Sequence, residues 1–247
     1  MSDRLIVVTG SSRGLGKALI DTFLSASATD RIIGVARTPT AHPSARFMGL
    51  EGDLSSVEGC ESLLSVIAKV IDTYPLDAVV LINNAGRLGE VEPSYRTSPY
   101  DVAQTIFVNL TVPMLLQNGL LSLCVNRSLP LEIVNILSGA ALKAYDGWSG
   151  YCSSKAGLLM ASQVMALEIT QRHLSAKVWS FAPGVIDTAM QSSLRSRSAE
   201  QFPEVERFRR LYAEGQLRSP RSVAAFLYQA VGNEDFQNGG FYDIRHF

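Results

Sequence analysis

Short apolar runs alternate with amphipathic segments along the first three quarters of the chain. Continuous apolar runs rich in Val, Ile and Leu are typical of parallel strands buried on both faces. Apolar residues spaced three and four apart predict helices between these strands. The predicted strands are Leu5–Val8, Arg31–Ala36, Arg46–Leu50, Asp77–Ile82, Glu132–Leu137 and Lys177–Ala182. The predicted helices cover about Lys17–Ala28, Ser55–Thr73, Pro99–Asn126 and Gly150–His173.

This alternation predicts an α/β fold, with a doubly wound parallel sheet of about seven strands and helices on both faces. The alternation of strands and helices stops after Pro183. Residues 184–218 are predicted to form an insertion with short helices that covers the substrate. A helix at about Ser219–Val231 and a short strand near Gly240–Ile244 complete the pattern. With no linker or repeat in view, residues 1–247 are expected to form a single domain.

Composition and charge exclude several classes of protein. Of 247 residues, 47% are hydrophobic, and 22 basic side chains face 23 acidic ones, so neither disorder nor phosphate-driven nucleic-acid binding is expected. The three cysteines, Cys60, Cys124 and Cys152, form no CxxC or Cys/His cluster, and no metal site is predicted. Free thiols and the lack of a visible targeting segment favour a cytoplasmic protein.

The segment Val102–Asn126 contains no charged residue and is long enough to span a bilayer. Its polar residues, proline and glycine argue against a membrane span, and none is predicted. A homodimer built on Pro99–Asn126 and Gly150–His173 explains the apolar outer face better, with Leu116 and Leu120 expected mid-interface. The alternative is that the insertion or the chain terminus covers this face within one subunit.

A glycine-rich loop separates the first predicted strand from the first helix. Gly10, Gly14 and Gly16 follow a GxxxGxG spacing, a variant of the dinucleotide-binding fingerprint. Glycine at such positions permits a tight turn and a close approach of backbone to a pyrophosphate at the helix N-terminus. The alternative is a turn with a purely structural purpose.

Two arginines indicate which dinucleotide would bind. A chain that binds NAD usually carries an acid after the second strand, but here that strand ends in Arg37, and Arg13 lies inside the glycine loop. Two guanidinium groups suit a 2′-phosphate, so NADP(H) is the predicted cofactor. Alternatively, both arginines are solvated surface charges.

Tyr151 and Lys155 form the only YxxxK pattern in the chain, and Ser138 ends the fifth predicted strand. The carboxyl ends of parallel strands are where ligands bind in open α/β sheets. Residues four apart share a helix face, so the ammonium is expected to lower the phenol pKa toward neutrality. The alternative is an ordinary surface contact between the tyrosine and the lysine.

Taken together, these motifs resemble the short-chain dehydrogenase/reductase family, whose fold is Rossmann-like. TGSSRGLG at Thr9–Gly16 matches its cofactor loop, and NNAG at Asn83–Gly86 matches its fourth-strand motif. The resemblance further covers Asp53-Leu54 beside the adenine and the nicotinamide-side loop after the sixth strand. The residues it implies for the cofactor are Gly10, Ser12, Arg13, Gly14, Leu15, Gly16, Arg37, Asp53, Leu54, Asn83, Ala85, Gly86, Tyr151, Lys155, Pro183, Gly184, Ile186 and Thr188.

The resemblance also implies a catalytic tetrad of Asn109, Ser138, Tyr151 and Lys155. Tyr151 would protonate a carbonyl oxygen, Ser138 would hydrogen-bond that oxygen, and Lys155 would lower the phenol pKa and bind the nicotinamide ribose. Asn109 would support a water chain to Lys155. Taken singly, Ser138 could merely cap a strand end, and Asn109 could satisfy a kink in its helix.

Residues flanking the tetrad suggest an apolar substrate pocket, with core or lid packing as the alternative; they are Leu142, Tyr145, Trp148, Met190 and Leu194. The insertion and its surroundings also hold five arginines that could recruit an acidic substrate, although nearby glutamates favour a solvated surface of mixed charge. These arginines are Arg195, Arg197, Arg207, Arg209 and Arg210.

Within the family, the SRG in the glycine loop, Arg37 and the terminal GGFYDI resemble the sepiapterin and benzil reductase group. Sepiapterin reductases carry a pterin-anchoring aspartate just before their terminal FYD, where this chain has Gly240. The expected activity is therefore NADPH-dependent reduction of a small ketone or vicinal diketone. Alternatives are a pterin-type or other short-chain alcohol dehydrogenase, and a NADP(H)-binding redox sensor without turnover.

Overall fold

The computed structural model describes residues 3–247 and contains one parallel sheet in the order β3-β2-β1-β4-β5-β6-β7. Every neighbouring pair of strands runs parallel. The predicted doubly wound α/β fold is thus confirmed. The strands are β1 Arg4–Thr9, β2 Arg31–Ala36, β3 Phe47–Glu51, β4 Ala78–Asn83, β5 Leu131–Ile136, β6 Ala176–Ala182 and β7 Phe241–Asp243.

Eight α-helices accompany the sheet within the described residues. They are α1 Gly14–Ala26, α2 Val57–Thr73, α3 Pro99–Ile106, α4 Val112–Val125, α5 Ser149–Gln171, α6 Ala189–Arg195, α7 Val205–Ala213 and α8 Pro220–Ala230. The predicted first helix began three residues late, because α1 begins inside the glycine loop itself. The loop backbone at Gly14 is therefore already part of the helix N-terminus.

Helices cover both faces of the sheet because alternate residues of each central strand point to opposite sides. Leu5 and Val7 of β1 pack with α2, α4 and α5 in one apolar layer. Ile6 and Val8 of the same strand pack with α1 and α8 in the other. Burial on both faces accounts for the unbroken apolar runs in the sequence. It also leaves the strand ends as the place where polar side chains can gather.

The long apolar segment is two helices joined by a π-helical turn, Phe107–Thr111, and not the single helix predicted. Pro113 has no N–H to donate to the Asn109 carbonyl, so the α-helical ladder is interrupted there. Leu116 and Leu120 are fully buried against the sheet and cannot lie mid-interface as expected. By length and hydropathy Pro99–Val125 could cross a membrane, but one of its faces packs into this core.

Residues 184–218 lie over the carboxyl edge of the sheet and contain α6 and α7. Their only β-contact among the described residues is a single bridge between Ile186 and Arg218. Phe202 stacks on Trp148 with ring centroids 4.9 Å apart, and Leu194 and Phe208 complete this apolar contact. Packing of aromatic side chains therefore fixes the insertion beside the strand ends.

Candidate active site

A cleft of about 1400 Å³ runs across the carboxyl ends of the central strands. Most of the predicted site residues meet there, although they come from seven separate segments of the chain. Of the residues predicted for the cofactor and the tetrad, Gly16, Asn83 and Asn109 do not line it. Those that do are Gly10, Ser12, Arg13, Gly14, Leu15, Arg37, Asp53, Leu54, Ala85, Gly86, Ser138, Tyr151, Lys155, Pro183, Gly184, Ile186 and Thr188.

The glycine loop is tight enough to require glycine at two positions. Gly10 has a φ of +69°, a conformation that side chains disfavour. A Cβ on Gly16 would lie 2.1 Å from the Gly10 carbonyl oxygen, so Gly16 lets α1 approach the loop and does not itself face the cleft. At Gly10 and Gly14 the loop therefore presents backbone toward the cleft.

The start of α1 suits the pyrophosphate of a dinucleotide. Arg13 is its N-cap residue and makes no side-chain capping bond, and the first turn contains no acidic residue. Unpaired N–H groups and the positive end of the helix dipole favour a bound phosphate there. Backbone geometry and charge at this end of the cleft thus fit a nicotinamide dinucleotide.

Two exposed cations, Arg13 and Arg37, line the same end of the cleft. Among residues 3–247 neither guanidinium has a carboxylate within ion-pair distance. Hydrogen bonds from Ser55 lower the pKa of Asp53, and the nearby charge of Arg37 lowers it further. Arg37 and Asp53 therefore lie close together where the adenosine half of a dinucleotide would bind.

Asn83 and Asn84 face opposite directions. The Asn83 side chain is buried and donates to Asn135 Oδ1 at 2.8 Å, and Asn135 in turn contacts Gln117 of α4 and Ser162 of α5. The Asn83 side chain does not line the cleft, and the predicted contact of this residue with the cofactor stays a prediction. Asn84 lines the cleft and donates to the Thr9 carbonyl at 2.9 Å, which ties β4 to the glycine loop. The alternation of side chains along β4 could have identified Asn84.

Ser138, Tyr151 and Lys155 form the floor of the cleft. Ser138 lies two residues after the end of β5, and Tyr151 and Lys155 occupy the first two turns of α5. Lys155 Nζ donates to the Ile136 carbonyl at 2.9 Å and lies 5.9 Å from the Tyr151 ring centroid. The Ser138 hydroxyl hydrogen-bonds the Tyr151 phenol and lowers its pKa. Two hydroxyl groups and one ammonium thus lie together at the floor of the cleft.

Burial controls the ionisation of both side chains. It raises the pKa of Tyr151 to about 12, against the lowering by Ser138, and it lowers the pKa of Lys155 to about 8. The expected shift of the phenol toward neutrality is therefore wrong for the protein alone, since desolvation outweighs the hydrogen bond from Ser138. At neutral pH Tyr151 carries its proton and can donate it.

The Asn109 side chain does not line the cleft and is hydrogen-bonded to the loop that contains Arg87. Its Oδ1 accepts from Arg87 N–H and its Nδ2 donates to Arg87 C=O, both at 2.8 Å. Nδ2 also donates to Ser154 Oγ at 3.1 Å. A Cβ on Gly86 would lie 3.3 Å from Asn109 Oδ1 and 3.8 Å from Lys155 Nζ. Asn109 therefore fixes the loop that passes Lys155, and its side chain does not satisfy a kink in its own helix.

The predicted substrate residues divide by burial. Trp148 and Leu194 border the cleft but are 6% and 3% exposed, and they serve mainly to pack the insertion. Tyr145 and Met190 line the cleft, whereas Leu142, 67% exposed, lines only an adjoining chamber. Polar liners that the sequence did not single out include Arg87, Tyr100, Gln104, Gln191 and Arg245.

Of the five arginines considered for an acidic substrate, Arg207 alone lines the cleft. Arg195 lies over the Tyr212 ring, and Arg209 pairs with Glu206 at 2.5 Å. The expected surface of mixed charge thus describes most of this cluster. Within residues 3–247 no group of three or more His, Cys, Asp or Glu side chains could hold a metal ion.

The buried ammonium of Lys155 is expected to lower stability at neutral pH. Its pKa is about 8 in the folded protein against an ordinary 10.5, so the unfolded chain binds more protons between these values. The free energy of unfolding therefore rises with pH from about 8 to about 10.5. In Lys155→Met this rise should be lost, and stability at pH 7 should increase by about 1–3 kcal/mol.

Urea unfolding of both proteins across this pH range measures the effect, with the exposed Lys69→Met as the matched control. The other titrating groups are common to both proteins, so the difference between them isolates Lys155. A variant less stable than wild type at pH 7 would mean that the bond to Ile136 outweighs the cost of burial.

Comparison with known proteins agrees with this geometry. The family model described as short chain dehydrogenase matches residues 4–199. Benzil reductase ((S)-benzoin forming) of Bacillus subtilis (strain 168) is 35% identical over 243 residues, covering 98% of this chain and 99% of that protein. Sepiapterin reductase of Rattus norvegicus is 33% identical, covering 96% of each.

The crystal structure of the KRED1-Pglu enzyme superposes with a TM-score of 0.81 at 28% identity, covering 97% of this chain and 100% of that one. Fold, site geometry and relatives thus lead to one assignment. The chain belongs to the short-chain dehydrogenase/reductase family and is an oxidoreductase that uses a nicotinamide cofactor to act on C=O or CH–OH groups.

Proposed function

We propose that this protein is an NADPH-dependent reductase of small ketones and vicinal diketones. The observation that carries the proposal is the convergence of the Ser138 and Tyr151 hydroxyls beside the buried Lys155 ammonium at the floor of the cleft. The relative from Bacillus subtilis is named as a benzil reductase, which supports a diketone as the substrate class.

The proposed mechanism assigns each group one task. The bound nicotinamide supplies a hydride to the carbonyl carbon. Ser138 hydrogen-bonds the carbonyl oxygen, and Tyr151, protonated at neutral pH, transfers its proton to that oxygen as charge develops on it. Lys155, on the same helix face, stabilises the resulting phenolate and would bind the nicotinamide ribose. Asn109 positions the Arg87 loop beside Lys155.

The residues that we assign to the cofactor form three sets, according to the part of the dinucleotide that they would contact. Ser12, Leu15, Leu54, Ala85 and Gly86 would contact the dinucleotide along its length. Pro183, Gly184, Ile186 and Thr188 would contact the nicotinamide half. Arg13 and Arg37 would hold the 2′-phosphate, because they are exposed cations without a carboxylate partner among the described residues.

Pterin reduction is the less favoured activity. Sepiapterin reductases have an aspartate where this chain has Gly240. A Cβ on Gly240 would lie 2.5 Å from Tyr242 Cε2, so even a small side chain there would displace the Tyr242 ring. Tyr242 packs on Trp179 and Phe236, which resist that displacement. The same position thus lacks the acid and has no room for one.

We further propose that residues 1–247 act as one domain in the cytoplasm, with residues 184–218 as a lid over the substrate. Met1 and Ser2 lie outside the described residues. Gly184 and Gly215 flank the segment with φ of +71° and +66°. The Phe202 stack on Trp148 and the Arg96–Glu200 ion pair at 2.7 Å hold the lid to the body.

A homodimer is proposed from the outer face of α4 and α5. Met160, Val164 and Leu167 lie on one face of α5 and are 59%, 49% and 57% exposed. Met114 and Val125 of α4 are also exposed. Several exposed apolar side chains on two neighbouring helices are typical of a subunit interface. The insertion does not cover this face, because it packs beside Trp148.

Light scattering should give twice the 26.8 kDa chain mass for the wild type. Val164→Glu, which places a charge in the proposed interface, should give the monomer mass because an unpaired buried carboxylate is costly. Val57→Glu, on an equally exposed valine of α2, should remain dimeric. A monomeric wild type, or a dimer that tolerates Val164→Glu, would rule out this interface.

The reductase is distinguished from a redox sensor by consumption of the cofactor. The NADPH absorbance should fall when the purified protein is mixed with NADPH and benzil. It should stay constant when either the protein or benzil is left out. A sensor would bind NADPH, as shown by a rise in melting temperature, and leave its absorbance unchanged.

A further inference from the structure

A side chamber of about 380 Å³ opens from the substrate end of the cleft. Tyr145, Arg207, Asp243 and Arg245 line both cavities, and so does Gly139. Because Gly139 directly follows Ser138, the chamber begins beside the hydroxyl groups that would hold the reacting carbonyl. A substituent of the substrate could therefore enter it while the carbonyl stays at Ser138 and Tyr151.

Positive charge is in excess around this chamber. Three cations, Lys143, Arg207 and Arg245, face two carboxylates, Glu204 and Asp243. Asp243 is buried and already fully used by Arg245. Its Oδ1 accepts from the Arg245 backbone N–H at 3.0 Å and from Nε at 2.8 Å, and its Oδ2 accepts from Nη2 at 2.5 Å. The pair is thereby fixed, and Nη1 of Arg245 keeps its donors free of protein partners within residues 3–247.

The other two cations are less well neutralised. Arg207 reaches Glu204 at 3.3 Å through Nη1 alone, and Glu204 is itself half-exposed. Contact with the Tyr145 hydroxyl further anchors the Arg207 guanidinium and raises its pKa. Lys143 Nζ lies 4.9 Å from the Tyr145 ring centroid and has no carboxylate within 4 Å in the described part of the chain. Guanidinium donors thus remain available in a partly enclosed site.

We propose that this chamber is an anion subsite, which binds the carboxylate of an oxo-acid substrate and selects it over neutral carbonyl compounds. A planar guanidinium matches a carboxylate in a two-point hydrogen bond, and two such groups here come from separate segments. The inference rests on the proposed reductase activity and gives its substrate class. The reaction is unchanged: one NADPH and one proton convert the 2-oxo acid to a 2-hydroxy acid and NADP⁺.

A matched pair of substrates tests the subsite. Benzoylformate and its methyl ester present the same ketone, with and without a negative charge. In the wild type kcat/KM should be higher for the acid, and the acid:ester ratio should fall about tenfold or more in Arg207→Gln, since a charge-assisted hydrogen bond is lost. Added salt should weaken the preference for the acid and leave the ester unaffected.

Arg210→Gln is the matched control, because Arg210 lies exposed on the same helix and lines neither cavity. Its acid:ester ratio should equal that of the wild type. Arg245→Gln should lower the ratio as Arg207→Gln does. Arg207→Gln on α7 remains the decisive variant if loss of the bond to buried Asp243 unfolds the Arg245→Gln protein.

The outcomes separate this inference from the proposed function. Reduction of the ester without preference for the acid, or an unchanged ratio in Arg207→Gln, would overturn the subsite and leave the reductase standing. If neither substrate nor benzil consumes NADPH, the proposed function fails, and calorimetric titration with benzoate decides the subsite. Binding that is lost in Arg207→Gln supports it, and absence of binding to the wild type overturns it.

Discussion

Replacing Tyr151 by phenylalanine is expected to lower kcat for diketone reduction by about 10²–10⁴-fold. The substitution removes one hydroxyl from a half-buried side chain and leaves the ring contact with Trp148 in place. At neutral pH this phenol is protonated, so it is the group from which the carbonyl oxygen would take its proton. Steady-state NADPH consumption with benzil measures the loss.

The loss should be confined to turnover. The Kd for NADPH, measured by calorimetry, should change by no more than about twofold, because the phenol contributes to the transition state and not to dinucleotide binding. Ser138→Ala should reduce turnover less, since it orients the oxygen without supplying the proton. Substantial activity in Tyr151→Phe would remove Tyr151 as the proton donor.

Replacing Arg37 by alanine is expected to raise the Kd for NADPH about tenfold to a hundredfold and to leave the Kd for NADH nearly unchanged. Only NADPH carries the 2′-phosphate, and a charge-assisted hydrogen bond contributes about 1.5–3 kcal/mol. Arg37 is exposed and lies in the cleft beside Asp53, so its loss should not disturb folding. Titration of both dinucleotides by fluorescence or calorimetry gives the two constants.

Arg13→Ala should show the same selective loss, and Arg172→Ala, an exposed arginine at the end of α5, should show none. Equal weakening of NADPH and NADH in Arg37→Ala would mean that Arg37 contacts a part shared by both cofactors. The preference for NADPH would then need another origin.

Sequence patterns predicted the sheet well because its central strands are buried on both faces. Strand β2 was predicted with its observed bounds, and the other predicted strands were placed within one or two residues. Burial on both faces selects apolar residues at every position of such strands, so unbroken apolar runs in one sequence are enough to locate them. The order of motifs along the chain also predicted which residues meet at the cleft, since parallel strands end at one edge.

The errors arose where three-dimensional context decides. The segment around Leu116 has no charged residue, so its sequence does not indicate which face of the helix is buried. Leu116 and Leu120, both chosen for the interface, lie in the core. The NNAG motif alone did not single out Asn84, which lines the cleft, because the direction of each side chain depends on register along β4. Residue types also could not give the pKa of Tyr151, because the extent of its burial depends on the lid and α5 together.

The chamber beside Gly139 shows what only the assembled structure contains. Arg207 comes from the insertion and Arg245 from the end of the chain, and no spacing in the sequence relates them. The ion pairs among the charged side chains of the chamber, mainly that of Asp243 with Arg245, determine which N–H donors stay available to a ligand.

One measurement tests the central claim most directly: the ratio of NADPH oxidised to hydroxyketone formed when the protein reduces benzil, with Tyr151→Phe alongside. The account predicts one NADPH oxidised per molecule of product in the wild type, and almost no product from a variant that still binds NADPH. Cofactor binding without product in the wild type, or equal rates in the two proteins, would contradict it.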